Sequence, residues 1–135
     1  MKFVRYLIAV SFGVILGGVA LAVTMAVNNV MHPDPWIVVH VKNNSSEDVV
    51  GMTIKNENGS VEHVGVKKGK AVRVPVSQFG EGNYTIELRL KNGAVCASEI
   101  GYIESGDEAV EWLTDEGVIN DMYKRAGHPP KKCVN

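Results

Sequence analysis

The sequence has no Lys, Arg, Asp or Glu between residues 6 and 31, and its 135 residues include only two cysteines. Two cysteines exclude a disulfide-dense miniprotein, and a 45% apolar share excludes a disordered or collagen-like chain. An excess of either charge is lacking too: 14 Lys and Arg against 15 Asp and Glu leave a formal charge of −1. A general nucleic-acid binder needs a basic surface to displace counterions, so no nucleic-acid partner is expected. The length allows one compact domain beyond the uncharged stretch, not two.

Chemical signatures are equally scarce. There is no nucleophile elbow, phosphate loop or calcium loop, and no Cys stands beside a His. His32 and His128 neighbour prolines, His40 and His63 fall on predicted strands, and no two have the spacing of a zinc or copper site. No metal, cofactor or catalytic residue is expected, and the chain reads as a non-enzyme.

What the sequence does have begins at its N-terminus. Lys2 and Arg5 precede a run from Tyr6 to Val27 in which every residue is apolar or small. As a helix rising 1.5 Å per residue, the run would span roughly 33 Å, enough for a hydrocarbon core of about 30 Å. Both basic residues lie before the run, which places the N-terminus in the cytoplasm and the remainder in the periplasm or outside the cell. The length favours an uncleaved anchor in the cytoplasmic membrane. Ala20-Leu21-Ala22 also fits a signal-peptidase site, and cleavage there would release a soluble chain beginning at Val23. Within the run, Ala9, Gly13 and Gly17 recur every four residues, a spacing that lets two helices pack closely and would support a homo-oligomer. Residues 1–30 are thus read as anchor or signal and 31–35 as a hinge. Trp36 stands either at a membrane interface or in the first strand's core.

From Trp36 the apolar period becomes two, the mark of half-buried strands. In residues 84–91, Tyr84, Ile86, Leu88 and Leu90 share one face while Thr85, Glu87, Arg89 and Lys91 share the other. Strands are predicted near 36–43, 48–56, 60–66, 71–77, 83–91, 94–103 and 108–114, with Pro75 marking an edge strand or bulge. Gly- and Asn-rich turns separate them. Seven short strands in about 80 residues predict an antiparallel, immunoglobulin-like β-sandwich over 36–116, without the Cys-Trp-Cys spacing of antibody domains. The remainder, 117–135, is read as a short helix from about Val118 to Ala126 and a tail, with Gly127 and Pro129 as its stop.

Asn92-Gly93 suggests a two-residue hairpin loop. That register pairs Leu90 with Val95, points Cys96 outward and would aim Glu99 at the core. A bulge near Ala97-Ser98 would relieve this by turning Ile100 and Tyr102 inward. Cys96 and Cys133 are expected to form a disulfide, since the predicted compartment is oxidising.

Charge is unevenly placed. Eight acidic residues and no basic ones lie between Glu99 and Asp121, followed by Lys124, Arg125, Lys131 and Lys132. Glu104, Asp107, Glu108 and Glu111 are the candidate strip for a cationic protein partner, although a solvated face explains the same pattern. Asn43, Asn44, Asn58 and Asn83 begin N-x-Ser/Thr sequons, which matter only in a glycosylating pathway. The expected function is a membrane-anchored extracytoplasmic protein-interaction module, an accessory or assembly subunit. The alternative is a soluble periplasmic inhibitor or immunity protein acting through the loop Gln78–Asn83 or the acidic strip.

Overall fold

The computed structural model describes residues 18–23 and 34–135. Residues 18–23 are helical, and among the described residues no helix is long and apolar enough to cross a membrane. Ala9, Gly13 and Gly17 lie outside the described residues. Met1–Pro33 and Asp34–Asn135 are separate compact units.

Eight strands fill the second unit: β1 Trp36–Asn43, β2 Val49–Asn56, β3 Gly59–Val66, β4 Ala71–Ser77, β5 Glu81–Leu90, β6 Val95–Glu104, β7 Glu108–Thr114 and β8 Gly117–Asn120. They form two four-stranded sheets ordered β4-β1-β7-β8 and β3-β2-β5-β6. The alternating apolar residues of both sheets merge into one core that includes Ile37, Val39, Val41, Ile54, Val74, Ile86, Leu88 and Leu113. The result is a mainly β, sandwich-like domain. Pro75 sits on the edge strand β4 opposite Val38, where its missing N–H breaks no inner ladder.

Three details differ from the sequence expectations. The sheets are not purely antiparallel, because β1 runs parallel to β7, with Val41 beside Glu111. An eighth strand occupies 117–120, so the helix expected over 118–126 is confined to α1, Asp121–Arg125. Pairing of β8 with β7 claims the preceding residues, and Asn120 caps the helix by accepting a hydrogen bond from Met122 N at 2.9 Å. Asp121 pairs with Arg125 across the single turn at 2.6 Å.

The third difference is register. The β5–β6 loop has three residues, not two: Leu90 N donates to Ala94 O at 2.8 Å, and Gly93 holds φ 92°. Arg89 therefore pairs with Val95 and Leu88 with Cys96. This one-residue shift turns Cys96, Ser98 and Ile100 inward and leaves Glu99 exposed, with no bulge needed at Ala97-Ser98. The irregularity falls later, where Tyr84 faces Ile100 but Gly82 faces Ile103. Tyr102 is thereby turned outward and Ile103 inward.

The C-terminal tail closes the side of the domain where β6 and β8 form sheet edges. Val134 exchanges backbone hydrogen bonds with Val95 of β6 at 2.7 and 2.9 Å, and Lys131 does so with Val118 of β8 at 3.0 and 2.8 Å. Cys133 is joined by a disulfide to Cys96, whose side chain faces the core. One short strap thus binds an edge of each sheet.

Candidate functional site

The acidic strip disperses once the chain folds. Glu111 has no exposed surface at all, because its position on β7 faces between the sheets. Its Oε1 accepts hydrogen bonds from Tyr84 Oη at 2.7 Å and Asn120 Nδ2 at 2.9 Å, while Oε2 has no partner. Burial raises its pKa above the ordinary carboxylate value, opposed by those two hydrogen bonds and by the charge of Lys131 on the strap. Burial likewise pushes the Tyr84 phenol up, with the Glu111 charge adding to it. Glu111 is therefore removed from the candidate docking strip. Glu108 stays exposed but is held by Arg73 at 2.9 Å and His40 at 3.2 Å on the outer face of the first sheet.

Glu104 and Asp107 lie elsewhere, at the end of the domain where the chain enters β1. Four segments are tied together there. Gln78 N donates to Pro35 O at 2.8 Å, Gly106 N to Trp36 O at 2.8 Å, and Ser105 N to Gly80 O at 3.0 Å. Asn56 Nδ2 donates to Ser77 O at 2.6 Å and to Gln78 Oε1 at 2.9 Å, joining the β2–β3 turn to the same group. Glu104 N donates to Asp107 Oδ2 at 2.9 Å, which fixes the β6–β7 turn. These bonds make a set of loops into a defined surface.

Three exposed aromatic residues belong to these segments. Phe79 is 64% exposed, Tyr102 53% and Trp36 47%. Residues 34–37, 56–59, 76–83 and 101–107, which build this end, contain Asp34, Glu57, Glu81, Glu104 and Asp107 and no Lys or Arg. The Tyr102 hydroxyl donates to Glu104 Oε1, and this bond, together with the Glu104 and Glu81 charges, pushes its pKa up to about 12. Beneath the surface, Gln78 is fully buried and its Nε2 has no acceptor. A Cβ at Gly82 would run into that nitrogen and would approach Glu57 Oε1 within 2.9 Å, so glycine is required for the close approach.

Phe79 and Gln78 lie in the loop that the sequence marks as a possible plug, whereas the bulge expected at Ala97-Ser98 would turn Tyr102 into the core. Its outward turn follows from the irregularity between Gly82 and Tyr84, which no local pattern announces. Trp36 begins β1 and remains nearly half exposed, so it is not the core residue that one of the two expectations required.

Other sequence candidates resolve individually. Asn43 is buried, with Nδ2 donating to Glu47 O and Val66 O at 2.9 Å each, so its sequon is closed to a modifying enzyme; Asn44, Asn58 and Asn83 are exposed. Among the described residues no three His, Cys, Asp or Glu side chains gather in a metal-binding group. Beside the strap, a shallow cleft of about 350 Å³ is lined by Ser98, Asn120, Tyr123, His128 and Lys131, among others.

No family model and no curated protein matches the chain. Among solved structures, a protein from Eubacterium rectale determined by NMR is similar with a TM-score of 0.53 at 10% identity, covering 64% of this chain and 89% of that one. At that identity the likeness concerns the fold alone.

Proposed function

We propose that the protein is a non-enzymatic, membrane-anchored extracytoplasmic interaction module, an accessory or assembly subunit whose β domain presents a binding surface to other membrane or periplasmic proteins. The observation that carries this reading is a disulfide-closed domain set directly behind an uncharged run. Residues 6–31 have the length and flanking charges of an anchor, and the Cys96–Cys133 bond suits an oxidising compartment. The finer reading of the two sheets as an immunoglobulin-like sandwich rests on the domain's size and its two facing sheets. Tethering concentrates the domain near other membrane proteins, so a modest interface suffices.

A second reading has its own support in Ala20-Leu21-Ala22: cleavage there would yield a soluble periplasmic inhibitor or immunity protein starting at Val23. Extraction with and without mild detergent, followed by N-terminal sequencing and identification of co-purifying chains, tests both. Detergent-dependent release of an uncleaved chain together with a stable partner is the expected result. Recovery of a soluble monomer beginning at Val23 would replace the anchored reading with the inhibitor.

A further inference from the structure

We infer that the open edge of β6 at Ala97 and Glu99 takes an extended segment of a partner protein as a short added strand, with threonine or serine between two basic residues. The inference rests on the interaction-module reading and names its contact surface. β6 ends the second sheet, and on its open side the strap bonds only Val95, which exchanges hydrogen bonds with Val134. Val95 faces Arg89 across the β5–β6 ladder; Ala97 and Glu99 repeat its orientation at steps of two, opposite Glu87 and Thr85. In an antiparallel pair such alternate residues aim N–H and C=O away from the neighbouring strand. Those of Ala97 and Glu99 therefore point out of the sheet, with no partner on that side among the described residues. The edges of the first sheet differ, since β4 carries Pro75 and the short β8 is held at Val118 by Lys131.

The cleft beside the strap lies against the same stretch of β6. Ser98 and Glu99 line it from β6, and Val118 and Ile119 line it from β8. Ser98 is only 5% exposed, yet its hydroxyl bonds nothing among the described residues. A strand bonded to Ala97 and Glu99 sets its middle side chain directly opposite Ser98, on the cleft side. Threonine or serine there pairs hydroxyl with hydroxyl, and the threonine methyl turns toward the apolar wall. Charge selects the flanking residues. β6 contains Glu99 and Glu104 but no Lys or Arg, and Glu87 lies behind Ala97, so the outer flank of the edge attracts basic side chains and disfavours a second copy of β6. Tyr123 bounds the site at its far end, with its hydroxyl 4.0 Å from where a Cβ on Gly101 would stand. So short a pairing is weak alone, and the tether raises its effective concentration.

The experiment titrates the full chain in zwitterionic-lipid nanodiscs with a nine-residue peptide that holds Lys-Thr-Lys between Gly-Ser flanks. Control peptides carry Glu-Thr-Glu, Lys-Val-Lys, or Lys-Thr-Lys with both lysine amides N-methylated. Saturable slowing of hydrogen exchange at the Ala97 and Glu99 amides, about tenfold or more, is expected with Lys-Thr-Lys and not with the acidic or methylated peptide. Ala97→Pro removes an edge N–H without touching the β5 ladder, and Glu99→Lys reverses the charge; each should weaken binding about fivefold or more. Glu62→Lys on β3, the other edge of the same sheet, should leave binding unchanged. Ser98→Ala should abolish the preference for Lys-Thr-Lys over Lys-Val-Lys, which net charge cannot do. Equal binding of the methylated peptide, an equal loss in Glu62→Lys, or protection that falls on β3 overturns the inference. Self-association that protects Ala97 and Glu99 without peptide also overturns it, giving the edge to a second copy. Flotation of the same chain with vesicles tests the anchor separately. Failure to float with peptide binding intact removes only the anchored reading, and flotation without peptide binding removes only this surface.

Discussion

Tyr84 donates its phenolic hydrogen to Glu111 Oε1 across the core at 2.7 Å, and neither side chain has exposed surface. The bond links the two sheets, β5 of one to β7 of the other, and Asn120 on β8 donates to the same oxygen. Glu111 Oε2 is left with nothing, so the carboxyl is under-satisfied whichever way it is charged. This buried polar cluster between the sheets gives the fold a pH response through Glu111.

The sign of that response follows from the direction of the shift. With its folded pKa raised above an ordinary value of 4.5, Glu111 holds its proton more tightly in the folded state than in the unfolded one. Its stabilising contribution is complete below about 4.5 and is lost as pH climbs toward the folded pKa. Every unit of upward shift costs about 1.4 kcal/mol above that window. Glu111→Gln keeps an oxygen for Tyr84 and Asn120 but cannot ionise. Its melting temperature relative to the wild type is therefore expected to rise as pH increases above about 4.5 and then level off. A constant difference across pH 4 to 9 by calorimetry would show that Glu111 does not titrate as the burial requires.

Tyr84→Phe removes the phenolic donor without opening a large cavity. Glu111 then keeps only the Asn120 hydrogen bond in a buried site, a loss of about 1–3 kcal/mol. The penalty should be greatest at alkaline pH, where an ionised carboxylate most needs donors, and smallest at pH 4. Urea denaturation at the two pH values measures this directly. The double variant Tyr84→Phe/Glu111→Gln should be less impaired than the single Tyr84 change, because the charge that needs the donor is gone.

The elements that could be read from the sequence are those governed by local periodicity. Residues 84–90 alternate without interruption, and β5 follows them; β1, β4 and β7 also fall where alternation and turn residues put them. What could not be read depends on one extra residue in a loop or on pairing with a distant strand. Asn92-Gly93 signals a turn but does not say whether Lys91 belongs to the strand or to the loop, and that choice reverses the faces of Cys96 and Glu99, while Tyr102 is set by the later irregularity at Gly82. Glu111 looked like one more carboxylate in an acidic stretch. Its position between Ala109 and Leu113 continues the inward alternation of β7, yet burial of a carboxylate needs Tyr84 and Asn120, whose arrival is a tertiary event. The short β8 was hidden because Val118-Ile119 reads equally well as a helix start.

The strap makes a separate prediction. Closing a loop of 37 residues in sequence separation stabilises by about 4 kcal/mol on the chain-entropy model. Reducing the disulfide, or replacing Cys133 by Ser, should lower stability by up to that amount and free the amides of Val95 and Val118, which now bond Val134 O and Lys131 O. Hydrogen exchange at these two amides should accelerate far more than at Ile54 or Leu88 in the core. Uniform acceleration would mean that the strap and core open together. Gly117→Ala tests the same closure without touching sulfur. Gly117 holds φ 136°, and a Cβ there would run into the Lys131 carbonyl, so the variant should expose Val118 N while leaving the disulfide intact.

At the aromatic end of the domain, Tyr102 reports on its own neighbourhood. Its hydroxyl bonds Glu104, and that bond, with the nearby Glu104 and Glu81 charges, holds the phenol up to about 12 instead of its ordinary 10. Glu104→Gln removes the charge and weakens the acceptor, so the Tyr102 ionisation should fall back toward 10, with Glu81→Gln giving a smaller change in the same direction. Tyrosinate absorbance follows this titration in a Tyr6→Phe/Tyr123→Phe background, where the remaining Tyr84 is buried and ionises after Tyr102. An unshifted titration in Glu104→Gln would show that Tyr102 and Glu104 do not hold each other in solution.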